Sequence, residues 1–157
     1  MLTRFAVCAV LLAAAAPAAE PPWPPSAAET AIMLQPERLY WRPALPGLPS
    51  SVKFAALEGN PSEAGPFTIR LTLPGGVSIP THSHPWPTRM IVLSGRLALG
   101  LDPRELATGG FWACPADFWQ SLVAREDSVV QISGEGAWAI KYLKADDDPR
   151  AAGGSPK

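Results

Sequence analysis

His82 and His84 are the only histidines in the chain, and one residue separates them. On an extended backbone, side chains at i and i+2 point to the same face. Two imidazoles at that spacing can converge on one ion or one small polar ligand. Two imidazoles suit zinc, iron, manganese, nickel or copper, but they bind weakly without further oxygen or nitrogen donors. Pro80 and Pro85 flank the pair and hold its backbone near extended conformations. Other chemistry is sparse. Ser94-Gly95 lacks a nucleophile elbow, and no glycine loop for phosphate is present. Cys114 precedes Pro115 in an apolar stretch and reads as a structural thiol. Glu135 lies in Gly134-Glu135-Gly136, a tight turn that exposes it.

The elements that must position these residues read as strands. Phe67 to Leu73 alternates apolar and polar, the pattern of a strand with one face buried. Val52–Leu57 and Arg96–Leu101 are further short β runs, and Val77–Ile79 alternates up to Pro80. Met90–Leu93 is a continuous apolar run. Phe111–Cys114, Trp119–Val123, Ser128–Ser133 and Trp138–Leu143 complete the set, and Asp102-Pro103 to Gly110 reads as a loop. Turns such as Glu58-Gly59-Asn60-Pro61 punctuate them. Short strands at this spacing, with no convincing helical period in the mature chain, predict a single all-β sandwich or barrel.

The spacing Gly76-x5-His82-x-His84-x3-Thr88-x6-Gly95 resembles the first motif of the cupin superfamily, Gly-x5-His-x-His-x3,4-Glu-x6-Gly. Gly109-x5-Pro115-x-Asp117-x2-Gln120-x3-Ala124 is similar to the second, Gly-x5-Pro-x-Gly-x2-His-x3-Asn. The resemblance covers residues 76–124 and implies a single-domain, cupin-like jelly-roll β-barrel of the small exported type. In metal-binding cupins the ligands are the two histidines and the glutamate of the first motif, with the histidine of the second. Here Thr88 stands at the glutamate position and Gln120 at the second-motif histidine position. The set thus lacks its one anion, and neutral oxygen donors replace stronger ligands.

The expectation is therefore a small-molecule-binding protein with a vestigial or weak metal site in its lumen. Any ion would be a divalent transition metal (zinc, manganese, iron, nickel or copper) held by His82, His84 and Gln120. The alternative is a metal-dependent oxidoreductase or isomerase using His82 and His84. Strand parity places Phe118 with Gln120, and Gln131 with Ser133. With those faces inward, the ligand pocket comprises His82, His84, Thr88, Gln120, Gln131, Ser133, Phe118 and Trp86. It suits a neutral or anionic molecule with several hydrogen-bonding atoms. Trp119 should point away from Gln120, and Arg89, one residue from Thr88, should point to solvent.

Composition bounds the rest. The chain has 157 residues, 47% hydrophobic, enough for one domain with a core. A net charge of −1 gives no basic footprint for nucleic acid. Arg4 followed by the apolar run Phe5–Ala16 and by Ala16-Pro17-Ala18 predicts a signal peptide over residues 1–18, cleaved after Ala18. That predicts a periplasmic or secreted protein with no membrane association after cleavage. Residues 19–37 read as an extended, mobile Pro/Ala-rich arm, 38–144 as the barrel and 145–157 as a loose tail. Gln35–Leu39 reads as a single turn begun by Pro36. Cupins often pair barrels through edge strands, so the resemblance also admits a homodimer.

Overall fold

The computed structural model describes residues 19–27, 30–100 and 105–151. The signal-peptide expectation, the end of the Arg96–Leu101 run and residues 152–157 of the tail lie outside them. No helix among the described residues is long and apolar enough to cross a membrane. Among the described residues eleven strands follow in chain order: β1 Arg42–Pro43, β2 Lys53–Glu58, β3 Pro66–Leu73, β4 Ser78–Ser83, β5 Thr88–Ser94, β6 Arg96–Leu99, β7 Glu105–Ala107, β8 Phe111–Cys114, β9 Gln120–Ala124, β10 Ser128–Glu135 and β11 Lys141–Tyr142. A 3-10 turn at Pro36–Arg38 precedes them, with Pro at its start.

All strand pairs are antiparallel and form two sheets. One has the order β1-β2-β3-β10-β5-β8, the other β11-β4-β9-β6-β7. This is a jelly roll: neighbours in space are far apart in sequence. The period-2 pattern of β3 is realised in full, with Phe67, Ile69, Leu71 and Leu73 each at most 2% exposed. Burying such side chains stabilises by roughly 1.5–3 kcal/mol each. Across the barrel, Ile79, Leu97 and Leu122 complete the core. The Met90–Leu93 run is not buried throughout. Met90 and Val92 face in, while Ile91 and Leu93 face out. Gly95, at φ +86°, turns β5 into β6 where any side chain would overlap Ser128.

The structure corrects the expectations at several places. The segment from Asp102 to Gly110 contains β7, because Glu105 reaches Arg125 at 2.9 Å and Arg96 at 3.5 Å while its backbone pairs with β6. The run Trp138–Leu143 contributes only Lys141–Tyr142 as strand, because the residues before it spend their backbone groups elsewhere. Trp138 N–H bonds the Pro61 carbonyl, and the Ala139 carbonyl accepts from His84. Part of the arm lies against the barrel. Trp23 stacks on Phe54 at 6.1 Å, Arg42 donates to the Pro21 carbonyl at 2.8 Å, and Gly59 N–H bonds the Pro25 carbonyl. The described part of the tail also makes contacts. Arg150 grips Asp148 and donates to the Ile140 carbonyl at 2.9 Å.

Candidate functional site

The site depends on an irregularity in β4. Along this strand Ile79 pairs with Leu122, and His82 pairs with Gln120. Two residues on β4, Pro80 and Thr81, thus oppose one on β9, Ser121, which is a β-bulge. Without it, Ile79 and His82 would face opposite ways. With it, both face the barrel interior and both are buried. Proline suits the bulge, since it has no N–H to lose from the ladder. The Pro80 carbonyl then turns to accept a hydrogen bond from His82 Nδ1 at 2.8 Å.

His84 lies just past the strand. Its Nδ1 donates to the Ala139 carbonyl at 2.7 Å, and its ring stacks on Trp86 at 4.6 Å and 19°. Trp138 packs at 5.1 Å from it. The two imidazole centroids are 5.2 Å apart. A carbonyl can only accept, so both Nδ1 atoms carry the proton. Each Nε2 is left as a lone pair with no hydrogen bond among the described residues. Burial pushes the pKa of His82 down, opposed by the Pro80 carbonyl. Burial lowers that of His84 to about 4, reinforced by its histidine neighbour and opposed by Ala139. Both rings are neutral at pH 7.

Gln120 sits opposite His82 on β9. Its Oε1 accepts the Trp112 indole N–H at 2.7 Å, with Cys114 Sγ at 3.8 Å. An indole N–H can only donate, which fixes the amide with its NH2 as the remaining donor. Thr88 begins β5 on the facing sheet. It is 3% exposed, and its Oγ1 has no hydrogen-bond partner among the described residues. His82, His84, Thr88 and Gln120 therefore border one cavity, walled by apolar side chains that include Met90, Leu122, Ile132 and Trp138. The cavity holds ≈ 30 Å³, room for one or two waters or a fragment of similar size.

Four residues of the expected pocket stand elsewhere. Gln131 and Ser133 alternate with Val130 and Ile132 on β10, and it is the aliphatic pair that faces inward. Gln131 Oε1 accepts from Arg70, and Ser133 Oγ meets Thr68, on the outer face. Phe118 lies in the turn before β9 and packs on Trp112 at 6.1 Å, outside the cavity. Trp86 stands behind His84 and supports it. Gly134 permits this, because any side chain there would collide with Trp86. Trp119 faces away from the cavity, near Lys141, and Arg89 is exposed. The contributions of Trp138 and Ile140 come from irregular backbone, where strand parity carries no information.

The donor set fits a divalent ion poorly. Two Nε2 atoms are available, but the Gln120 oxygen that would join them already accepts from Trp112. Among the described residues no carboxylate borders the cavity, so none of them offsets a double positive charge. Among the described residues, no three His, Cys, Asp or Glu side chains gather as a metal-binding group.

Comparison with known proteins places the fold. An RmlC-like cupin from Ralstonia eutropha matches at 18% identity and TM-score 0.60, over 74% of each chain. The polyketide cyclase RemF from Streptomyces resistomycificus matches at 15% identity and TM-score 0.60, over 81% of this chain and 95% of its own. A chain from the complex of Rhodobacter sphaeroides SigE with the anti-sigma ChrR is 21% identical at TM-score 0.52. The alignment covers 64% of this chain and about half, 52%, of that one. The fold is that of the cupins. No protein-family model and no curated protein matches the sequence.

Proposed function

We propose that this cupin-fold chain is a binding protein whose lumen takes a small neutral molecule. One observation carries the reading. The cavity presents two neutral imidazole acceptors, one amide donor and one unpartnered hydroxyl within an apolar wall. The matching ligand donates to the imidazoles and accepts from the amide, as an alcohol, diol or primary amide does. An anion finds no cation there, since both imidazoles resist protonation. An ammonium finds no carboxylate. Charged molecules would therefore enter with their desolvation cost uncompensated. The predicted leader over residues 1–18 supports a periplasmic or secreted setting for this binding.

Nuclear magnetic resonance titration with ethylene glycol, acetamide, glycolate and ethanolamine tests the reading. The expected result is shifts at His82, His84 and Gln120 with the two neutral compounds, lost in His82→Ala. Preference for glycolate or ethanolamine, or no response to any compound, would overturn it. The competing reading is a transition-metal centre held by His82 and His84 in an oxidoreductase or isomerase. In its favour, backbone carbonyls orient both rings with Nε2 unoccupied, as outer partners of metal-bound histidines do. Elemental analysis of untagged protein separates the two. Near-stoichiometric metal that disappears in a His82→Ala/His84→Ala double variant would favour the metal centre.

A further inference from the structure

A second concave surface, distinct from the lumen in its described lining, lies where the N-terminal arm meets β2. It is a groove of ≈ 420 Å³ lined by Trp23, Met33, Leu34, Tyr40, Arg42 and further residues of the arm. That volume falls within the range of small-molecule sites. Its rim is apolar and unmet: Met33 is 88% exposed, and Leu34 and Tyr40 are also exposed. Exposed apolar surface gathered at one concavity marks an interaction site more often than scattered apolar residues do.

Arg42 supplies the polar component. Its side chain is 7% exposed, and its guanidinium lies 4.1 Å from the centre of the Trp23 ring and 4.7 Å from that of Tyr40. One nitrogen, Nη2, donates to the Pro21 carbonyl. Nε is buried and has no hydrogen-bond partner among the described residues. Among the described residues the nearest carboxylate is that of Glu20, 3.8 Å from Nε on a side chain that is 67% exposed. This is a long-range pair without a hydrogen bond. A buried guanidinium normally has its in-plane N–H groups met by a carboxylate, phosphate or carbonyl.

We propose that the groove is a second binding site, for a small amphipathic molecule that carries a carboxylate beside an aromatic or aliphatic body. The carboxylate takes the place of Glu20 and accepts the Arg42 Nε–H bond that Glu20 does not make. The apolar body lies along Trp23, Tyr40, Met33 and Leu34. Among the described residues the site shares none with the lumen.

The test is titration of the full chain with phenylacetate and with its neutral isostere phenylacetamide, read at the Arg42 Nε–Hε and Trp23 indole resonances. Phenylacetate should shift both signals and bind at least ~tenfold more tightly than the amide, as expected of a charge-assisted bond. Glu20→Gln removes the competing carboxylate and should tighten phenylacetate by about threefold, in line with the modest worth of an exposed pair. Arg42→Lys keeps the charge but loses Nε–H, and should weaken it by at least ~tenfold. Equal binding of acid and amide would overturn the proposal. So would shifts confined to other residues, or a Glu20→Gln variant that binds no better.

Discussion

Mild acid should destabilise this protein through its lumen. The perturbation is a fall in pH from about 7.5 to about 4.5, across the ordinary histidine range. His84 titrates near 6.5 in the unfolded chain and at about 4 in the folded one. The native state therefore refuses a proton that the unfolded state accepts, and stability is lost as pH falls below 6.5. The slope approaches about 1.4 kcal/mol per pH unit while the two states differ by one proton. Over this window His84 alone removes ~2 to 3 kcal/mol, and His82 adds a loss of the same sign. The neighbours of the pair offer no rescue: Thr88, Gln120, Trp86, Trp138 and Tyr142 face it, and none is a carboxylate or a cation at these pH values. Asp148 lies outside the window. Arg150 holds its carboxyl below the usual value, so its contribution disappears only at lower pH. The assay is urea denaturation at both pH values for the wild type and for His84→Gln, whose amide can still donate toward Ala139. The wild type should lose ~2 kcal/mol more than the variant, a shift of several degrees in Tm for a chain of this length. Equal losses, within about 0.5 kcal/mol, would refute the argument that His84 is buried neutral.

Three further outcomes are expected. Gln120→Glu is nearly isosteric and supplies the missing anion, so zinc should raise the variant's Tm by several degrees and leave the wild type's unchanged; ~100-fold excess over Kd corresponds to about 2.7 kcal/mol. Trp112→Phe leaves the buried Gln120 oxygen with only the weak Cys114 thiol donor and should cost about 1–3 kcal/mol by denaturant titration, with Gln120 side-chain resonances moving most. Asp117 holds φ 58°, the only positive value at a non-glycine among the described residues, while its N–H bonds the His84 carbonyl at 2.7 Å. Asp117→Gly should therefore relieve backbone strain and raise stability by roughly 0.5 kcal/mol without moving the histidine signals.

Much of the barrel was legible because one physical signal, period-2 burial, was strong. β3 reads directly as an inward row of Phe67, Ile69, Leu71 and Leu73. The two-motif spacing brought Thr88 and Gln120 to the same cavity as the histidines, although they come from different sheets. Parity misled at Gln131 and Ser133 because β10 offers two plausible faces, and only the partner strands decide which meets the core. Arg70 and Thr68 satisfy the polar face outside, so Val130 and Ile132 turn in. The bulge at Pro80-Thr81 is the reverse case. Extended spacing put His82 and His84 on a common face, but which face depended on an extra residue that no pattern marks apart from Pro80 itself. The docked arm was hidden for another reason. Its Pro-rich composition fixes extended backbone, and only the positions of Phe54 and Arg42 in the folded sheet give Trp23 a surface to cover.

The central claim is that the lumen is a neutral hydrogen-bonding pocket whose histidines act as acceptors through Nε2. Long-range proton–nitrogen spectra of the imidazoles, recorded at neutral pH before and after one equivalent of zinc, test it most directly. The account predicts protonated Nδ1 and bare Nε2 for both His82 and His84, with neither signal moved by the metal. Saturating displacement of both Nε2 resonances by zinc, or an imidazolium pattern at neutral pH, would contradict it.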